Sequence, residues 1–169
     1  MTAATLDDLV RRVDRIEASD AIRELKARYL AACDAKDLIA IRDCFLEGDV
    51  QIDAGPVGLF SNRDAFVERF AELACNEQIM DLHLAGNPRI DLLDDDNATG
   101  AWSLFFYQIN GAAKTVIHMG CSYEDAYRRV HGAWKIRSSR CITHVVEVVA
   151  MDDGVSRVKF AGRSLLSLG

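Results

Sequence analysis

Four stretches in the second half of the chain constrain its fold most: RIDLL, AWSLFFYQI, TVIHMGCSYEDAYRRV and AWKIRSSRCITHVVEVVAM. Their β-branched and aromatic residues, with apolar and polar side chains tending to alternate, have the period of strands. The connections DDDNATG, NGAAK and His131-Gly132 are short enough to join antiparallel neighbours directly. From Pro88 onward the chain therefore reads as a long antiparallel meander.

The first third has a different period. Leu6, Leu9, Val10, Val13 and Ile16 recur three and four apart and predict an amphipathic helix over 6–17. Ser19-Asp20 is a cap signal for a second helix, with Ile22, Leu25, Tyr29, Ala32 and Cys33 inward and its end near Asp34. Asp37 can cap a third, with Leu38, Ile41, Cys44 and Phe45 inward. The composition then shifts at GDVQIDAGPVG to a short strand and a loop, after which Ser61 or Asn62 can cap a helix carrying Phe66, Phe70 and Leu73 on one face. Helices followed by an antiparallel meander predict an α+β fold, a curved sheet wrapped around N-terminal helices into a cone. The interior of such a cone is a natural small-molecule pocket.

The length, 169 residues, predicts one compact domain. A formal net charge of −6, with no basic run, disfavours a nucleic-acid partner. The N-terminus lacks the apolar core of a signal peptide, and no apolar run approaches the roughly 20 residues of a membrane span. Five cysteines without C-x-x-C spacing fit reduced, mostly buried thiols and a cytoplasmic address.

Chemistry-bearing residues are few. His131 belongs to a turn, whereas His83, His118 and His144 sit in apolar strand contexts, where an imidazole must find a partner or face a polar cavity. Asp34 lies near the end of the second predicted helix, where a carboxylate opposes the helix dipole. An Asp34–His83 pair would fix the imidazole tautomer and raise its basicity, as a general base near neutral pH requires. His118 or Tyr29 could then polarise a substrate oxygen, with Arg140 and His144 as further candidates. The pocket itself is predicted to be shaped by Phe45, Phe66, Phe70, Trp102, Phe106 and Met119. No nucleophile elbow or phosphate-binding glycine loop occurs, and no H-x-H or H-x-x-x-H pair favours a metal.

Three segments, AIRELKARYLAACDAKD, CFLEGDVQID and YEDAYRRVHGAWKIRSSR, together resemble the SnoaL-like branch of the nuclear-transport-factor-2-like superfamily. The resemblance covers roughly residues 16–150. It implies one cone domain, with a helix over 5–18 and a tail over 151–169 as extensions. That tail has no clear period and is expected to be mobile or to dock a partner. The branch includes scytalone dehydratase and hexachlorocyclohexane dehydrochlorinase, known for an Asp-His dyad whose two positions match Asp34 and His83. Tyr29 stands where the dehydrochlorinase carries a lysine, which argues against dehydrohalogenation, and His118 can match a second histidine of scytalone dehydratase. The resemblance thus implies a cofactor-independent lyase or isomerase acting on a small, ring-containing apolar substrate, without metal, flavin or nicotinamide. The alternative it allows is a non-catalytic binding or assembly module akin to a ring-hydroxylating oxygenase β subunit. In either case the apolar strand SRCITHVVEVVAM predicts a homo-oligomer, a dimer or a trimer.

Overall fold

The structure, a computed structural model, describes residues 5–152 and 155–162. One helix, α1 (Leu6–Ala35), opens it; the Thr5 hydroxyl accepts from the Asp8 N–H while the Asp8 carboxylate takes the Thr5 N–H. The two helices expected over 6–17 and 20–34 are thus continuous. No glycine or proline interrupts the segment, and Asp20, rather than capping a new helix, accepts from Arg23 Nη1 at 2.6 Å one turn on. The apolar stripe from Leu6 to Ile16 faces solvent, whereas Ile22, Leu25, Tyr29, Leu30 and Cys33 are buried. Asp37 and Asn62 cap α2 (Leu38–Cys44) and α3 (Arg63–Ala74) through their side chains, as the sequence predicts.

The strands are β1 (Gln51–Asp53), β2 (Leu59–Phe60), β3 (Ile79–Leu92), β4 (Asn97–Asn110), β5 (Thr115–Val130), β6 (Ala133–Asp152) and β7 (Val155–Gly162). They form one curved, unclosed sheet in the order β2-β1-β6-β5-β4-β3. Pairing is antiparallel except that β1 runs parallel to β6, and β7 pairs with the far half of β6. The architecture is the α+β cone expected from the sequence. Residues His131 and Gly132 both have positive φ, 51° and 79°, the backbone that a two-residue hairpin with the right-handed strand twist requires.

Two boundaries differ from the sequence reading. The meander starts at Ile79, not after Pro88: residues from Gly86 to Arg89 form a register irregularity inside β3, so the proline is absorbed at the free side of an edge strand. The tail contributes β7 over 155–162, because β6 runs past β1 and offers an unpaired edge there; residues 153–154 and 163–169 lie outside the described residues.

The core lies between the inner face of the sheet and the three helices. Ala98, Trp102, Leu104, Cys121, Tyr123, Tyr127 and Ile136 from the strands meet Ile22, Leu25, Ile41, Phe45 and Phe66 from the helices. Gly100 is required here, since a Cβ at that position would lie 2.9 Å from the Tyr127 ring. Among the described residues no helix is long and apolar enough to cross a membrane.

Candidate functional site

A cavity of about 400 Å³ opens within the cone, bounded by the C-terminal half of α1, by α3 and by β3 to β6. Its walls are mostly apolar, with Phe66 and Phe70 from α3 facing Phe106, Ile117 and Met119 from the sheet. Into this apolar space project Tyr29, His83, Asp81, Gln108, Tyr123 and Thr143. Few polar groups in an apolar hollow is the usual makeup of a small-molecule site.

His83 belongs to edge strand β3, whose outer side has no strand neighbour. The end of α1 fills that side. Asp34, in the last turn of the helix, accepts the His83 backbone N–H through Oδ2 at 3.2 Å, and its Oδ1 lies 2.6 Å from His83 Nδ1. One carboxylate thus satisfies both the free main-chain donor of an edge strand and the imidazole above it. A carboxylate accepts, so this contact suits the tautomer with the proton on Nδ1 and the lone pair on Nε2. The ring is fixed from the other side by Phe106, its pairing partner in β4, with centroids 4.7 Å apart. An imidazole so held can offer Nε2 as a proton acceptor at the wall of an apolar pocket.

Two further groups of the cavity, Tyr29 and Cys33, are held protonated by burial. Burial pushes the Tyr29 phenol well above its usual value, and the adjacent Cys33 thiol and Tyr123 add to the shift. Burial likewise takes the Cys33 thiol to about 12, which removes it as a nucleophile. Tyr29 can therefore donate a hydrogen bond to an oxygen in the cavity but cannot serve as its base.

Sequence-predicted residues divide three ways. Tyr29, Phe66, Phe70, His83, Phe106 and Met119 line the cavity, and Asp34 reaches it through His83. Phe45 and Trp102 do not: Phe45 is fully buried behind Tyr29 and Phe66, and Trp102 is a core side chain that donates from Nε1 to Tyr127 Oη at 2.9 Å. His118, His144 and Arg140 lie on the outer face of the sheet. His118 sits 3.0 Å from Glu147 and stacks on Tyr107, His144 meets the Ser122 hydroxyl at 2.8 Å, and Arg140 is 3.5 Å from Asp53. The cause is strand parity: Ile117, Met119, Cys121 and Tyr123 point inward, so His118 between two of them points out.

The structure also assembles groups the sequence reading passed over. Lys26 is fully buried, with Nζ 2.9 Å from Asp125 Oδ2 and 3.4 Å from the centroid of the Tyr123 ring. Asp125 further accepts from the Tyr127 and Ser139 hydroxyls, each at 2.7 Å. A lysine within the apolar stripe Ile22, Leu25, Tyr29 and an aspartate between inward tyrosines were the available signals, since two charges in core positions must find each other. At the other end of the cavity Asp81 pairs with Lys36 and accepts from Gln108 Nε2 at 2.9 Å. Its position two residues before His83, hence on the same face of the strand, was the signal there. No cluster of three or more metal-ligating side chains occurs among the described residues.

Comparison with known proteins adds the following. Residues 14–140 match the family model described as a SnoaL-like domain. No curated protein matches the chain. Among solved structures it is similar to a candidate scytalone dehydratase from Novosphingobium aromaticivorans, with 17% identity over 80% of this chain and 89% of that one and a TM-score of 0.73. It is similar also to a type 2 hexachlorocyclohexane dehydrochlorinase, with 15% identity, 85% and 99% coverage and a TM-score of 0.74. The type 3 dehydrochlorinase of Novosphingobium barchaimii gives 14% identity, 91% and 94% coverage and a TM-score of 0.69. At such identities the likeness is one of fold.

Proposed function

The chain belongs to the SnoaL-like domain family, and from that premise we propose that its cavity is the active site of a dehydratase-like lyase or isomerase that works without a cofactor. The observation that carries the proposal is the 2.6 Å contact between His83 Nδ1 and Asp34 Oδ1 at the wall of an apolar cavity. His83 Nε2 removes a proton from a carbon beside a carbonyl, and Asp34 stabilises the imidazolium as it forms. The Tyr29 phenol, kept protonated by burial, donates to the substrate oxygen on which charge develops. Return of the proton at another carbon gives an isomer, and departure of a β-hydroxyl as water gives a dehydration product. Neither outcome changes the total oxidation state, so the reaction calls for no electron carrier.

The size and lining of the cavity support a small, ring-containing apolar substrate: phenyl rings of Phe66, Phe70 and Phe106 offer flat faces in a space of about 400 Å³. Turnover assayed on cyclic β-hydroxy ketones tests the reading. The parent protein is expected to dehydrate at least one of them, and His83→Ala and Asp34→Asn are expected to lose that activity while remaining folded. Full activity in either variant would remove the dyad from the mechanism. Binding of the same compounds without turnover would move the chain to the class of small-molecule-binding modules.

An assembly of like chains forms part of the same reading. Leu82, Leu84, Phe105 and Val145 are exposed on the outer face of β3 to β6, a cluster that supports burial against a second copy in a homodimer or homotrimer. Light scattering is expected to give a multiple of the 18.7 kDa chain mass; a monomer at micromolar concentration would contradict this.

A further inference from the structure

Lys36 closes α1 with a φ of 58°. That left-handed conformation at a helix end is ordinarily taken by glycine, which meets no Cβ clash there. A bulky residue kept in such a backbone is a reason to ask what its side chain does. The Lys36 ammonium pairs with Asp81, whose carboxylate is nearly buried and is held on its other oxygen by Gln108.

The spacing on the two elements is matched. Lys36 follows Asp34 by two residues, and Asp81 precedes His83 by two on the same face of β3. The end of α1 and the edge strand are therefore joined by two rungs, Asp34 to His83 and Lys36 to Asp81. The first rung alone puts a carboxylate against the negative end of the helix dipole; the second places a cation there and anchors the turn that carries Asp34. We propose that Lys36 and Asp81 are positioning residues, whose ion pair holds the last turn of α1 so that Asp34 keeps its two-point grip on His83. The proposal rests on the reading of Asp34 and His83 as the working dyad.

Lys36→Gly separates the tie from the turn, because glycine suits the backbone conformation and lacks the ammonium. Asp81→Asn is the second variant; it leaves the helix end untouched and keeps an acceptor for Gln108. Proton NMR on the full chain reads the geometry directly, through a downfield Nδ1–H resonance of His83 identified by its loss in His83→Gln. In Lys36→Gly and in Asp81→Asn this resonance is expected to broaden into exchange with water, with kcat reduced on the order of 10²-fold and KM little changed, as for a misplacement of about 1 Å. Lys36→Arg, which restores the cation, is expected to restore both. A sharp resonance and parental kcat in both loss variants would overturn the proposal and leave the dyad standing. Absence of the resonance from the parent protein would instead overturn the dyad reading and the proposal with it.

Discussion

Two of the ionic contacts between α1 and the sheet, Lys26 with Asp125 and Asp34 with His83, lie about two turns apart along the helix and differ in what surrounds them. Lys26 and Asp125 are both fully buried, and the carboxylate is saturated by the Tyr127 and Ser139 hydroxyls while the ammonium lies over the Tyr123 ring. Asp34 and His83 are only partly buried, at the border of a cavity, and their contact engages only one of the two imidazole nitrogens. Both carboxylates engage their two oxygens with protein groups; the difference lies in the partner, since Lys26 is sealed in the core while the His83 ring lines the cavity. Placement in one helix therefore does not give two titratable residues one role. What differs is whether the partner is sealed in the core, as Lys26 is with no hydrogen-bond acceptor for Nζ beyond its ion pair, or lines the cavity, as His83 does.

That contrast orders the expected effects of substitution. Lys26→Met leaves Asp125 as an uncompensated buried charge and is expected to cost about 3–5 kcal/mol of stability in urea unfolding. Lys26→Met combined with Asp125→Asn is expected to recover part of that, because it removes the unpaired charge and keeps an acceptor for the Tyr127 and Ser139 hydroxyls. A single variant within about 1 kcal/mol of the parent would break the comparison. His83→Ala is expected to show the opposite balance: a rate loss of about 10² to 10⁴, as for removal of a general base, with a smaller stability change. Tyr29→Phe, assayed on the same substrate, is expected to lower kcat by about fivefold, the worth of one hydrogen bond at roughly 1 kcal/mol. His118→Ala and His144→Ala, on the outer face, are expected to change kcat less than Tyr29→Phe does; a larger loss in either would bring that face back into the mechanism.

The smallest effect is electrostatic and belongs to an exposed ion pair outside the cavity lining. Arg42 holds the Asp64 carboxyl below its ordinary value of 3.8 by hydrogen bond and charge. A group with a depressed folded-state pKa contributes stability above its unfolded pKa and loses it as pH falls through the folded one. Acid unfolding of Asp64→Asn is therefore expected to be slightly less steep below pH 4 than that of the parent protein, by comparison of urea midpoints at pH 7 and pH 3.

Much of the fold was legible because its signals are local. The caps at Asp37 and Asn62 and the hairpin at His131-Gly132 follow from side-chain and backbone preferences that neighbours do not override. Ser19-Asp20 misled because a cap residue marks a helix start only where the preceding helix has been broken, and nothing breaks this one. The site was legible in part for a different reason. Asp34 and His83 are 49 residues apart, and their meeting depends on α1 covering the open side of β3, which residue types alone do not encode. The misplaced candidates trace to parity: adjacent residues such as His118 and Met119 point to opposite faces of one strand and cannot both line a pocket. Counting inward from Met119 would have sent His118 outside. Pairing in the core, as of Lys26 with Asp125, was visible only as two charges in apolar company.

The proposed role of His83 as a base, with Lys26 outside the chemistry, has a direct test. Deuterium exchange into the α-position of a small cyclic ketone in D₂O, followed by proton NMR, isolates the proton-abstraction step from any leaving group. The account predicts exchange above the buffer rate with the parent protein and exchange at the buffer rate with His83→Ala. Equal exchange by the two proteins would contradict it.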